Sequence, residues 1–149
     1  MGQSTDALAA FGFDLGSSED FEWPEALAVP DDDGNPEAWP DLSGYLERRA
    51  GLTKPTTGDY KDPAWSAYWA AAREAEVAFP VDLVQHCSGE YPMWIFALRR
   101  TVQRASRGSP SALTAGIILG AEVAAMKALC EEMGLPWSEP AWLLFSNWN

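Results

Sequence analysis

The stretch VAFPVDLVQHCSGEYPMWIFALRRTVQR, residues 77–104, decides the fold. Its first part, residues 77–87, alternates between apolar and other side chains, which is the period of a half-buried β-strand. Residues 92–104 begin apolar on both faces, as a more central strand does. Residues 88–91 lie between these two runs and contain Gly89. We therefore expect a hairpin whose turn uses a positive φ at Gly89.

The alternation in residues 77–87 assigns their side chains to two faces of the strand. Val81, Leu83 and Cys87 fall on the apolar face, whereas His86 falls on the other face, away from the core. A Cys–His pair needs both side chains on one side. We therefore interpret Cys87 as a small buried core residue and not as a nucleophile. The pair would be possible only if the strand ended before His86.

Two more segments complete the predicted sheet. Residues 7–15, ALAAFGFDL, are apolar and are bounded by Asp6 and Gly16, which favours a strand. Residues 141–148, AWLLFSNW, are expected to form the last strand. The pattern as a whole predicts about four strands.

Capping signals predict two helices in the first half of the chain. Asp41 can cap a helix over residues 42–50. Asp62 followed by Pro63 supplies the N-cap and the first position of a helix over residues 63–76. The aromatic face of this second helix favours core packing over a ligand platform.

The longest predicted helix covers residues 110–133. Ser109 can cap it, and Gly134 is expected to end it. Leu113 and Ile117 begin an apolar stripe at helical spacing, and small residues farther along the stripe suit close packing on a sheet.

Together these elements predict a single α+β domain over residues 1–149. Its sheet of about four strands is mixed or mostly antiparallel and is backed by the helix 110–133. Residues 17–62 are acidic and rich in Pro and Gly, so we expect this segment to be largely irregular.

The net charge of −12 is concentrated in the first part of the chain. Residues 1–63 hold 14 acidic residues and 4 basic ones. Such a surface repels nucleic-acid phosphate, so direct binding of DNA or RNA is not expected. Solubility is the general explanation of the charge. A surface that meets a basic partner and an acidic mimic of DNA are the specific alternatives.

Common cofactor and metal signatures are absent from the sequence. One histidine and two cysteines do not supply the ligand pattern of a zinc site, and there is no glycine-rich phosphate loop. The acidic run at residues 31–35 lacks the glutamate at the twelfth position of a calcium loop. The apolar stretches are too short to cross a bilayer. We expect a cytoplasmic protein that uses no cofactor and does not contact a membrane.

Three segments of the chain are distinctive. They are MGQSTDALAAFGFDLG (1–16), HCSGEYPMWIFAL (86–98) and the Trp-rich PAWLLFSNWN (140–149). In these segments the chain resembles small uncharacterised proteins encoded by phages that infect actinobacteria. The resemblance implies a phage origin and action in the host cytoplasm. It implies no activity and no catalytic residue, because that group has no established function.

The sequence contains no coherent catalytic set, so an enzyme is not expected. Eight tryptophans are many for 149 residues, and those outside the core are expected at a binding surface. The leading hypothesis is an accessory protein that binds a host bacterial protein.

The alternative hypothesis is a nucleotide-like small-ligand site near the hairpin. Its residues would be His86, Ser88, Glu90, Tyr91, Arg99 and Arg100. Ion pairing of the two arginines with the acidic half of the chain is the simpler explanation of their presence. An enzyme that uses Cys87 or His86 is the third hypothesis.

Overall fold

The computed structural model describes residues 5–17, 20, 22–28 and 39–148. These residues form five strands and three α-helices. The strands are β1 (Thr5–Ser17), β2 (Val81–Ser88), β3 (Pro92–Leu98), β4 (Gln103–Ala105) and β5 (Ala141–Trp148). The helices are α1 (Leu42–Arg49), α2 (Pro63–Ala78) and α3 (Gly120–Met133). The prediction of an α+β fold is confirmed.

The chain forms two compact units. The sheet unit consists of Met1–Pro24 and Pro80–Asn149, and the helix unit consists of Glu25–Phe79. All five strands and α3 belong to the sheet unit, whereas α1 and α2 belong to the helix unit. The single domain over residues 1–149 stays a prediction.

β1 is the central strand of a mixed sheet. It pairs antiparallel with β5 on one side, and with β3 and β4 on the other. β2 pairs antiparallel with β3 and parallel with β5, but the parallel contact consists of two residue pairs only, Cys87–Asn147 and Ser88–Trp148. The pairing therefore runs from β1 through β3, β2 and β5 back to β1, so that the sheet closes on itself.

Both faces of this sheet carry apolar side chains. One face holds a cluster of five buried residues: Leu8, Ala10, Val84, Ile95 and Ala97. On the other face Phe13 contacts Phe96, with ring centroids 5.3 Å apart, and Trp137, at 5.2 Å. A strand that is covered on both sides cannot show a polar face, which matters for His86 below.

The predicted hairpin is present, with two changes at its ends. β2 begins at Val81 rather than at residue 77, because α2 continues to Ala78 before Pro80 ends it. The predicted strand 92–104 is interrupted by a 3-10 turn at Arg99–Thr101, which separates β3 from β4. Thr101 holds this turn, because its hydroxyl donates to Leu98 O (2.6 Å) and accepts from Phe11 N (2.9 Å).

The prediction of one helix over residues 110–133 is wrong in its first part. The helix begins only at Gly120, and residues 109–119 have no regular secondary structure. Gln103 and Thr114 exchange two hydrogen bonds of 2.8 Å, which fix this segment beside β4. The predicted stripe is not core, since Leu113 is 65% exposed and Ile117 is 84% exposed. Gly116, together with the β-branched residues around it, lowers the helix propensity here.

Other capping predictions are confirmed. Asp41 accepts a hydrogen bond from Gly44 N (2.8 Å) at the start of α1, and Asp62 accepts one from Ala64 N (2.9 Å) at the start of α2. Gly134 ends α3 with a φ of 76°. The predicted irregular segment 17–62 contains α1, and its acidic run at residues 31–35 lies outside the described residues.

Candidate functional site

Four of the predicted site residues lie at the β2–β3 turn. His86 and Ser88 are on β2, and Glu90 and Tyr91 are exposed in the turn itself. The Ser88 hydroxyl accepts a hydrogen bond from Tyr91 N (3.0 Å), so it is used to hold the turn. These four residues are neighbours in the chain, and the Ser88 hydroxyl is engaged by the backbone of Tyr91.

His86 does not face away from the core, contrary to the sequence-based expectation. Its side chain is only 12% exposed, and its ring packs edge-on against Phe145, with centroids 5.3 Å apart. Nε2 lies 3.7 Å from Asp14 Oδ1 and has no hydrogen-bond partner among the described residues. The expectation failed because both faces of β2 are covered, so alternation alone does not identify a solvent face.

Cys87 differs from its predicted role in two ways. It is half-buried rather than buried, and its backbone has a φ of 72°. The positive φ was expected at Gly89, which does not adopt one. A left-handed conformation at a residue other than glycine is uncommon. It occurs here where β2 meets β5, at the Cys87–Asn147 pair.

Arg99 and Arg100 lie at the opposite end of the hairpin. Since β2 rises 3.3 Å per residue, they are about 20 Å from the turn. Arg99 pairs with Asp82 (3.4 Å) and donates to Val81 O (3.2 Å). The structure therefore does not bring the six predicted site residues together.

Arg100 forms a two-pronged ion pair with Glu122 at the start of α3. Its Nε and Nη2 donate to the carboxylate at 2.6 and 2.8 Å. Glu122 also accepts from Leu119 N (2.9 Å). Hydrogen bonding from Arg100, and then from Leu119, lowers the pKa of Glu122 to about 2. The expected ion pairing of the arginines is present, but its partners lie outside the acidic half of the chain.

The described part of the chain offers no metal site and no membrane span. No cluster of three His, Cys, Asp or Glu side chains among these residues could hold a metal ion. None of the helices described is long and apolar enough to cross a membrane.

Among the described strands, β5 is the one that carries exposed large apolar side chains. Its sequence AWLLFSNW contains no charged residue. Leu144 is 79% exposed and Trp148 is 54% exposed, and the two lie on the same face of the strand. On this face β5 presents side chains that would normally be buried.

One backbone edge of β5 is also open. β1 pairs with β5 along its whole length, from Ala141 to Trp148. On the opposite side, the described strands pair only with Asn147 and Trp148. The backbone groups of residues 141–146 that point to this side have no strand partner in the described structure. We call β5 over residues 141–146, with its open side, the β5 edge.

Searches of family models, curated proteins and solved structures return no match for this chain. Its function is therefore argued from its own geometry.

The sequence predicts the strand β5 but not its open side. A signal for this surface was present in the sequence. Edge strands are usually protected by Lys, Pro or inward-pointing charges, and residues 141–148 carry none of these. What the sequence could not supply is which side of β5 lacks a neighbour, since that depends on where β2 diverges from it.

Proposed function

We propose that this chain is an accessory protein of phage origin that acts by binding a host protein. We further propose that it binds an extended segment of that protein along the β5 edge. The observation that carries the proposal is an uncharged strand with one open side and an exposed apolar face. The phage and host setting rests on the resemblance of three segments of the sequence.

An open strand edge binds the backbone of an extended ligand. Unpaired N–H and C=O groups are satisfied by another strand, and this strand addition is a recurrent mode of peptide recognition. One side chain of the added segment would then lie beside Leu144. An apolar side chain at that position would remove exposed surface of Leu144 from water.

The nucleotide-like site near the hairpin stays the alternative proposal. Arg99 or Arg100 would supply its phosphate contact, and in the folded protein these two guanidinium groups pair with Asp82 and Glu122. A phosphate would have to displace these carboxylates.

The test compares two lysine variants of equal charge. Leu144→Lys places a charge on the β5 edge, and Ile117→Lys places the same charge on another exposed apolar residue. Tagged wild type and both variants are used to capture proteins from an actinobacterial lysate, and the affinity of any retained protein is then measured by calorimetry. We expect Leu144→Lys to weaken binding by at least about tenfold and Ile117→Lys to change it by less than about twofold.

Two results would overturn the proposal. Equal affinity of the wild type and Leu144→Lys would place the interface elsewhere. A wild-type dimer in light scattering that Leu144→Lys converts to a monomer would make a second copy of the chain the occupant of the edge.

A further inference from the structure

A groove of about 500 Å³ lies between α1 and α2 in the helix unit. Leu46 of α1 and Ala72 of α2 are among the apolar residues that line it. The small side chains at residues 70 and 72 leave room between the two helices. This groove is independent of the β5 edge, because it is built from a different unit of the chain.

Trp69 forms an aromatic wall of the groove. It is 53% exposed and stacks on Trp65, with ring centroids 5.9 Å apart and an interplanar angle of 24°. Trp65 is itself fixed by Tyr60, at 5.0 Å, and by donation from its Nε1 to Thr57 O (3.1 Å). Trp65 does not line the groove. Trp69 therefore presents a preorganised indole surface to whatever enters.

Two carboxylates face the same space. Glu47 is only 15% exposed and lies 3.7 Å from Lys54 Nζ. Burial, and then the neighbouring Glu47, raises the pKa of Tyr68 to about 12, so Glu47 lies beside a neutral hydroxyl. Glu76 from the end of α2 is the second carboxylate in the lining. The charge of Glu47, which is largely shielded from solvent, attracts a cation more strongly than it would in bulk water.

The charges select a cationic ligand. The lining holds Glu47, Glu76 and Arg73, and the exposed Lys54 pairs with Glu47 from outside the lining. The segment 25–79 as a whole carries 11 acidic residues and 5 basic ones. A phosphate or other anion would be repelled by this balance.

We propose that this groove binds the side chain of an arginine in a basic segment of a partner protein. A guanidinium is flat enough to lie on the Trp69 indole and carries donors that match a carboxylate in a bidentate pair. Glu47 accepts these donors in place of the exposed Lys54, while Leu46 and Ala72 contact the aliphatic stem. The inference rests on the proposed function, because it supplies a second contact for a protein partner.

The test uses short peptides as probes. A five-residue peptide with one central arginine and blocked ends is titrated into the whole protein at 0.15 M salt. The same peptide with citrulline, which keeps the shape and removes the charge, is the reference. We expect the arginine peptide to shift the nuclear magnetic resonance signal of the Trp69 indole N–H, and the citrulline peptide to leave it unchanged.

Matched variants distinguish binding in the groove from general electrostatic attraction to an acidic protein. Glu47→Gln and the control Glu74→Gln both remove one negative charge, but Glu74 is exposed on α2 and does not line the groove. We expect at least a fivefold loss of affinity in Glu47→Gln and Trp69→Ala, and less than a twofold loss in Glu74→Gln. Lys54→Gln removes the cation that competes for Glu47 and is expected to strengthen binding about twofold to fivefold.

The outcomes distinguish the two proposals. An equal response to arginine and citrulline, or an equal loss in Glu47→Gln and Glu74→Gln, would overturn the arginine site. If Glu47→Gln does not fold, Trp69→Ala compared with Glu74→Gln decides the question. Leu144→Lys is expected to bind the peptide like wild type, so a failure at the β5 edge leaves this result unaffected.

Discussion

Glu122 connects three parts of the sheet unit at a single carboxylate. It accepts hydrogen bonds from Arg100 after β3 and from Leu119 before α3. Arg100 also donates to Ile117 O (3.0 Å). This side chain therefore fixes the irregular segment 109–119 at its end and starts α3 at Gly120, where the sequence alone suggested a continuous helix.

The pH dependence of this contact has a definite sign. The pKa of Glu122 is about 2 in the folded protein, against an ordinary value of 4.5. A lowered folded pKa stabilises the protein fully above the ordinary value, and the stabilisation is lost as the pH falls from 4.5 toward 2. We expect Glu122→Gln to have a lower melting temperature than wild type at pH 7 and nearly the same one at pH 2. Calorimetry at both values checks this, with Glu74→Gln as the charge-matched control. A difference that grows toward pH 2 would contradict it.

The two cysteines should react at different rates. Cys130 is fully buried, and its Sγ donates to Leu135 O (3.3 Å). Burial, and then the nearby Glu131, raises the pKa of this thiol to about 11. Cys87 is half-buried, so reagent reaches it more easily. We expect iodoacetamide to label Cys87 before Cys130 at pH 8 in the folded protein, and both at similar rates in denaturant. Mass spectrometry of timed samples measures this, and earlier labelling of Cys130 would contradict the packing of α3.

At the scale of the element, the pairing of β1 with β3 requires a residue without a side chain at Gly12. A Cβ at this position would lie against the backbone of Phe96 and Ala97 in the neighbouring β3. The backbone cannot move away without breaking the β1–β3 pairing. Gly12 thus permits the close contact that brings the first and third strands together.

Two alanine variants test this reading of β1. We expect Gly12→Ala to lower the free energy of unfolding by about 3 kcal/mol, as overpacking against a fixed backbone does. Gly89→Ala in the hairpin turn meets no atom within 4 Å, so we expect a change of less than about 0.5 kcal/mol. Urea denaturation of both variants provides the comparison. Similar stability of the two proteins would show that β1 and β3 are less closely packed than described.

Elements with local signals could be predicted from the sequence. Asp41 and Asp62 indicate the starts of α1 and α2, and the apolar, uncharged stretch 141–148 indicates β5. The start of α3 could not be predicted, because Ser109 and Pro110 provide a good local capping signal at the wrong place. The competing partners, Gln103 and Arg100, come from elsewhere in the fold, so no local pattern contains them.

At the scale of the whole molecule, the two candidate binding features became visible only after the fold was known. The hairpin turn was a candidate site because it holds histidine, serine and glutamate side chains. In the structure Ser88 accepts a hydrogen bond that holds the turn, and His86 packs against Phe145. The β5 edge contains no ionisable side chain. It is a candidate binding site because β2 pairs with β5 only at residues 147 and 148, and this pairing depends on the topology of the sheet.

Part of the net charge of −12 can be assigned to particular carboxylates in the helix unit. Acidic groups in general favour solubility and basic partners. In the helix unit, however, Glu47 and Glu76 are placed beside Trp69 in one groove. The sequence-based expectation of a basic partner thereby acquires a candidate contact, whose test is the arginine peptide.

The pairing of β1 with β5 has a consequence for how the protein reaches its native state. Thr5 is opposite Trp148 and Gly12 is opposite Ala141, so partners in this ladder lie between 129 and 143 positions apart in the chain. During synthesis β1 leaves the ribosome long before β5 exists. Topologies dominated by such distant contacts fold slowly, in milliseconds to seconds. Until β5 has been synthesised and has paired, β1 lacks the strand with which it forms its longest ladder. Chaperone dependence during production of the protein is the expected practical result.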